Sequence, residues 1–294
     1  MRIGLIGAGA VGQSVGALLV AAGWCTELLI ASGSQASARG LVTDLEDLTE
    51  VTGSCMRVTL TTPQAMGSCD AIVLSPRAPF TNTARRDVRM AGLIANAPLI
   101  VHLARQLTGY TGVAVMVTNP VDVLARIFAE RSGCERVVGI GAATDTARYR
   151  LTLARHLGVP VGAVRGHVIG EHGDGAVICA STTTVHGAPV TVPVQQVRTE
   201  LAARPRRISD GIGRTRLGPA GAVLDALVHT LGLADGLTEV SVRQDTGVWL
   251  GMPVHYTDGA PAMCPPALDD SETAQLAAAT EKLHTAYIRL SKEI

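Results

Sequence analysis

Residues 170–177 read GEHGDGAV, a histidine set between two acids with glycines on either side. An imidazole changes charge near neutral pH, so His172 is a residue that can take a proton and hand it back. A buried structural histidine rarely needs backbone this permissive, and the other histidines of the chain lack comparable company. Oxidising a hydroxyl group requires an acceptor for its proton, and the reverse reduction requires the same group to return it. His172 is suited to that exchange.

A second chemical signature stands near the start of the chain, where GAGAVG places Gly7, Gly9 and Gly12 in a G-x-G-x-x-G pattern. It follows an apolar strand-like run and opens a helix-like one, the setting in which such a turn binds a dinucleotide. The first glycine allows the tight turn, the second lets a pyrophosphate reach the backbone, and the third lets helix and strand pack closely. With Ala10 and Val11, the start of the helix offers N–H groups and its positive dipole end to phosphate. NAD sites usually carry an acid about 20 residues further on, but Ser32 stands there, in IASGSQAS. Ser32, Ser34 and the Gly33 backbone can donate hydrogen bonds to a 2′-phosphate, and Arg39 can add charge. The reading therefore leans towards NADP, with NAD as the alternative.

These residues need a frame. RIGLI (2–6), ELLIA (27–31), RVTLT (57–61), AIVLS (71–75), VAVMVT (113–118) and RVVGIG (136–141) read as buried strands. Residues 11–22, 35–49, 86–107 and 121–132 read as the helices between them. Such alternation predicts an α/β fold with a doubly wound parallel sheet of Rossmann type. The second half opens with a helix over 144–157. Strand-like VRGHVIG and AVICASTTTV follow, then helices near 195–212 and 218–233 and a closing helix from Ser271. We place a dinucleotide-binding domain at 1–143 and an α+β substrate domain at 144–294.

Apolar residues make up 47% of the 294, so a large core is within reach although aromatics supply only 3%. Basic and acidic side chains number 25 each, which argues against a nucleic-acid or membrane-surface role. Six scattered cysteines without a CxxC pair point to a reduced, cytoplasmic protein. No cluster of metal-ligand spacing is evident.

Several local patterns then fall into a familiar order: GAGAVG, PRAP (76–79), TNPVD (118–122), DTARYR (145–150) and GEHGD (170–174). Together they resemble the lactate/malate dehydrogenase family over essentially the whole chain. The resemblance implies that Asp145 orients His172 and that Arg148 presents its planar fork to a substrate carboxylate. It places Asn119 near cofactor and substrate hydroxyl, Asn96 beside the cofactor, and Thr215, in GRTRLGPAGAV, on the pocket's far wall.

The segment PRAPFTNTARRDVRMAGLIANAP departs from the family pattern. Arg77 falls on the position that selects substrates, where an arginine suits a second carboxylate. The carbonyl-polarising arginine is Arg85 when counted from Pro79 and Arg89 when counted back from Asn96, with Arg86 beside the first. We favour Arg85. The expected protein is an oxidoreductase moving a hydride between NAD(P)H and a small 2-oxo or 2-hydroxy acid, foremost oxaloacetate/malate, and forming a homodimer or homotetramer. The alternatives are a dehydrogenase of a monocarboxylic acid, a non-catalytic NAD(P)-binding protein, and a loop-mediated assembly role.

Overall fold

A computed structural model describes residues 1–81 and 87–292. Six strands form the first half of the sheet: β1 (Arg2–Ile6), β2 (Glu27–Ala31), β3 (Arg57–Leu60), β4 (Ala71–Leu74), β5 (Val113–Met116) and β6 (Val137–Gly139). They run parallel in the order β3-β2-β1-β4-β5-β6. Between them lie α1 (Ala10–Ala22), α2 (Gln35–Thr52), α3 (Leu93–Gln106) and α4 (Val121–Ser132). Apart from the edge strand β3, the strands are almost wholly buried, as expected where helices cover both faces of a parallel sheet. Ile6 pairs with both Ala31 and Leu74, and Leu74 with Met116. The strand ends therefore line up, so Gly7, Ser75 and the segment after Met116 meet at one edge, where ligands of such sheets bind.

The second half begins with α5 (Ala142–Leu157) and continues through β7 (Val164–Arg165), β8 (Val168–Gly170), β9 (Ala176–Ile178), β10 (Thr184–Val185) and β11 (Ala188–Pro189). Then come α6 (Val194–Ile212), α7 (Leu217–Thr230), β12 (Gly236–Arg243), β13 (Trp249–Thr257), β14 (Ala260–Met263) and α8 (Asp270–Ser291). The expected boundary near residue 143 falls in the first turn of α5, yet the sheet does not stop at β6. Strand β12 pairs antiparallel with β6, and β13, β8 and β9 extend the same sheet. Glycine makes the join possible: a Cβ on Gly139 would lie 2.8 Å from the Ser241 Cβ. No described helix is long and apolar enough to cross a membrane.

One helix starts later than its sequence pattern predicts. The run read as helical over 86–107 becomes a short 3₁₀ turn, Met90–Gly92, followed by α3. Phe80 packs against that turn, and a Cβ on Gly92 would meet the Phe80 ring at 2.9 Å. Residues 87–89, read as helical, therefore lie ahead of the helix.

Candidate active site

Asp145 lies in the first turn of α5, where the free N–H groups favour a negative charge. His172 sits in the turn between β8 and β9. The two meet with 2.6 Å between His172 Nδ1 and Asp145 Oδ2. The ring lies directly over Gly141, where an added Cβ would come within 2.3 Å of it, so only glycine admits this approach. The far nitrogen, Nε2, is the one left to exchange a proton.

The glycines around His172 serve its neighbour. A Cβ on Gly173 or Gly175 would collide with the Glu171 carboxylate, at 2.6 and 2.4 Å. That carboxylate is buried, accepts from the Gly175 N–H, and is held by Lys282 Nζ at 2.8 Å to each oxygen. Lys282, on α8, also binds the Asp87 carboxylate. The Asp87 N–H donates to Asp174 at 3.0 Å. Asp87 is thus tied to the histidine turn and to α8. Lys282→Met leaves Glu171 charged, buried and unpaired, a loss of about 2–4 kcal/mol in urea unfolding. Lys282→Arg should restore most of it.

Asp122 of TNPVD had no role in the sequence reading beyond its motif. In the structure it is buried and accepts the His172 N–H at 2.9 Å and the Ser241 hydroxyl at 2.6 Å. Burial, outweighing those hydrogen bonds, raises its pKa to about 7. Between the ordinary carboxylate value and about 7, the folded chain keeps a proton that the unfolded chain has released. Stability therefore falls as pH rises through that window. Asp122→Asn mimics the protonated acid, with its carbonyl facing His172 N–H and its amide facing Ser241. It should fold normally and flatten the decline in urea midpoint between pH 5 and 8, whereas Asp122→Ala should be markedly less stable.

Two arginines converge on the pair. Arg148 Nη1 lies 3.5 Å and Arg89 Nη2 3.7 Å from Asp145 Oδ1. Burial alone would raise the Asp145 pKa, but His172, Arg89 and Arg148 together hold it down to about 2. The His172 pKa is lowered by burial and by Arg89, against the pull of Asp145. The free site thus holds a neutral imidazole beside a surplus of positive charge. Arg89 was the second choice of the sequence reading. Arg85 and Arg86 lie outside the described residues, so the structure carries no account of them.

The remaining residues are distributed as follows. Gly7 adopts φ +118°, and a Cβ there would meet the Ser75 backbone at 2.7 Å. A Cβ on Gly12 would overlap the Gly7 carbonyl, whereas Gly9 faces open space. Helix α1 begins at Ala10 with no side-chain cap, leaving the Ala10 and Val11 N–H groups for a ligand. Asn119 Oδ1 is buried without a partner. An open approach at Gly9, uncapped N–H groups and an orphaned amide oxygen on one edge fit a dinucleotide.

Asn96 is differently employed: it accepts from the Ala78 N–H and donates to the Asn119 carbonyl, so its amide serves these backbone groups rather than a ligand. Ser34 caps α2 by accepting from Ser37 N–H, and Arg39 lies among Gln35, Thr43, Asp44 and Asp47 on the face of α2. Ser32 is half-buried and Gly33 exposed at the β2 end. Arg77 is exposed, its guanidinium stacked 4.5 Å above the Phe80 ring. Thr215 lies half-buried just ahead of α7, whose Gly218 approaches Thr144 beside Asp145.

Comparison with known proteins places this geometry. The family model for the lactate/malate dehydrogenase NAD binding domain matches residues 1–140, and that for the lactate/malate dehydrogenase alpha/beta C-terminal domain matches residues 143–204. The chain belongs to the lactate/malate dehydrogenase family. The L-lactate dehydrogenase of Staphylococcus saprophyticus is 32% identical over 193 residues, a match spanning 64% of this chain and 60% of that protein. The malate dehydrogenase of Sulfolobus acidocaldarius is 27% identical over all of this chain and 98% of its own length.

Among solved structures, malate dehydrogenase from Plasmodium falciparum has a TM-score of 0.89 at 18% identity, covering 98% of both chains. Lactate dehydrogenase from Cryptosporidium parvum, solved with lactic acid and nicotinamide adenine dinucleotide, has a TM-score of 0.87 at 22% identity. It covers 99% of this chain and 98% of its own. These structural likenesses speak to the fold. Both lactate and malate dehydrogenases occur among the relatives, so family membership leaves the acid open. The matching domain is described as NAD binding, which gives the lean towards NADP no support.

Proposed function

We propose that this protein is a nicotinamide-dependent oxidoreductase of a small 2-hydroxy acid and its 2-oxo partner, with oxaloacetate/malate as the leading pair. The observation that carries the reading is the His172–Asp145 contact flanked by Arg89 and Arg148. When bound, the nicotinamide supplies or accepts the hydride. The chain's own groups do the rest. Arg148 grips the C1 carboxylate with its planar fork. Arg89, the second guanidinium beside the pair, polarises the C2 carbonyl. His172 holds the exchanged proton on Nε2, while Asp145 fixes the ring and stabilises its charged form.

Gly7, Gly9, Ala10, Val11 and Gly12 would hold the pyrophosphate, and the Asn119 amide oxygen faces the same edge. Of the groups put forward for a 2′-phosphate, Ser34 is occupied as a cap and Arg39 sits among acids. NAD(H) is therefore the preferred cofactor. A homodimer or homotetramer is the expected assembly.

The test is a grid of NADH and NADPH against oxaloacetate, pyruvate and larger 2-oxo acids, followed at 340 nm. Faster turnover with NADH and at least one 2-oxo acid is the expected result. Saturable nucleotide binding with no turnover of any acid would instead identify a non-catalytic binding protein.

A further inference from the structure

The site described above uses one end of the parallel strands, where Gly7 follows β1 and Asn119 follows β5. At the opposite end, Val113 opens β5 and Arg136 precedes β6, and both line a cavity of about 800 Å³. Val137 and Val138 of β6 line it from one strand, Val242 of β12 from another and Val254 of β13 from a third. None of His172, Asp145, Arg89 and Arg148 borders it. A space of this size with apolar walls is that of a small-molecule site.

Two side chains on its walls carry unmatched polar groups. Trp249 and Tyr256 line the cavity and are 5% and 2% exposed. A buried phenol or indole usually finds a hydrogen-bond partner. The other tyrosines do: Tyr110 donates to the Cys69 carbonyl, Tyr149 pairs with Thr183, and Tyr287 donates to Glu130. Tyr256 has no such partner among the described residues, and neither has the Trp249 indole N–H. Neither atom is sealed inside the protein, so a molecule in the cavity can reach them. Burial pushes the Tyr256 hydroxyl up to about 12, so at neutral pH it remains a donor.

The charged groups add donors of the same kind. Arg136 gives one N–H to the Thr230 carbonyl at 2.7 Å. Arg243 is exposed on the lining, and neither arginine forms an ion pair with a described residue. Of the two acids on the lining, Glu130 is engaged by Arg126 and Tyr287, which leaves only the exposed Glu135. An indole N–H, a phenol O–H and two guanidinium groups thus stand against one carboxylate. A ligand that suits them brings acceptors and negative charge.

We infer that this cavity is a second binding site, taking a small apolar carboxylic acid whose carboxylate meets these donors while its hydrocarbon body lies against the valines. The inference is independent of the 2-oxo acid turned over at His172.

The experiment titrates the full-length protein with 3-phenylpropionate and with octanoate by calorimetry, using 3-phenylpropanamide as the uncharged control. At least one acid should bind saturably with a Kd below about 1 mM, and the amide far more weakly. Binding should persist when NADH and oxamate fill the active site. Tyr256→Phe and Arg243→Met should each weaken it by about 10–100-fold, with NADH affinity unchanged as the sign of a folded protein. Should Tyr256→Phe not fold, the exposed Arg243 still decides. Trp249 is one of two tryptophans, so in Trp24→Phe the remaining fluorescence reports on the cavity and should change as the acid binds.

No binding of either acid would overturn the inference. So would equal affinity for the amide, displacement by oxamate, or full affinity in both variants. A second copy of the chain is the rival occupant. If the wild type self-associates, Met263→Glu sediments as a smaller species and neither protein binds the acids, the cavity is an interface between copies and the inference fails.

Discussion

Replacing His172 by asparagine is expected to lower turnover with every 2-oxo acid by roughly a hundred- to ten-thousand-fold, with NADH affinity unchanged within about twofold. Asparagine can still donate to Asp145 Oδ2, now 2.6 Å from the ring nitrogen, so the pocket keeps its shape and loses only its exchangeable proton. Normal turnover in this variant would remove His172 from the chemistry. The pH profile supplies an independent check. In the reductive direction the ring must carry a proton, and burial and Arg89 hold its pKa below the ordinary imidazole value in the free site. The kcat/KM for reduction should therefore fall as pH rises through a point below that ordinary value. A bound carboxylate on Arg148 offsets positive charge and raises the histidine pKa. The corresponding fall in kcat should lie at higher pH.

The second large effect belongs to Arg89. Arg89→Gln should cost about a hundred- to a thousand-fold in kcat, the usual consequence of removing one preorganised donor from a developing oxyanion. KM should move much less than kcat. Arg85→Gln is the comparison, because the count from Pro79 selects it. A larger loss at Arg85 than at Arg89 would reverse the assignment. The contrast also tests the docking of Asp87 on Asp174 and Lys282, since this anchor places Arg89 beside Asp145.

Local patterns made much of this legible. The glycine turn, the parallel strands and the pairing of His172 with Asp145 each have a short-range signature or a familiar order. What stayed hidden depends on contacts between distant segments. Arg89 was obscured because the count from Pro79 and the count back from Asn96 select different arginines, and the run read as helical from 86 becomes α3 only at Leu93. Lys282 reaches Glu171 from the far end of the chain, so no spacing rule could join them. Asn96 is buried between two backbone groups, a use that its motif position does not distinguish from ligand binding.

The antiparallel seam between β6 and β12 has a consequence for how the chain is made. While residues after β6 are still emerging from the ribosome, the flank of β6 has no neighbour, and its unpaired N–H and C=O groups can recruit a strand from another molecule. A product ending before Gly236 would keep that open flank permanently, and it should precipitate rather than persist as a free nucleotide-binding fragment.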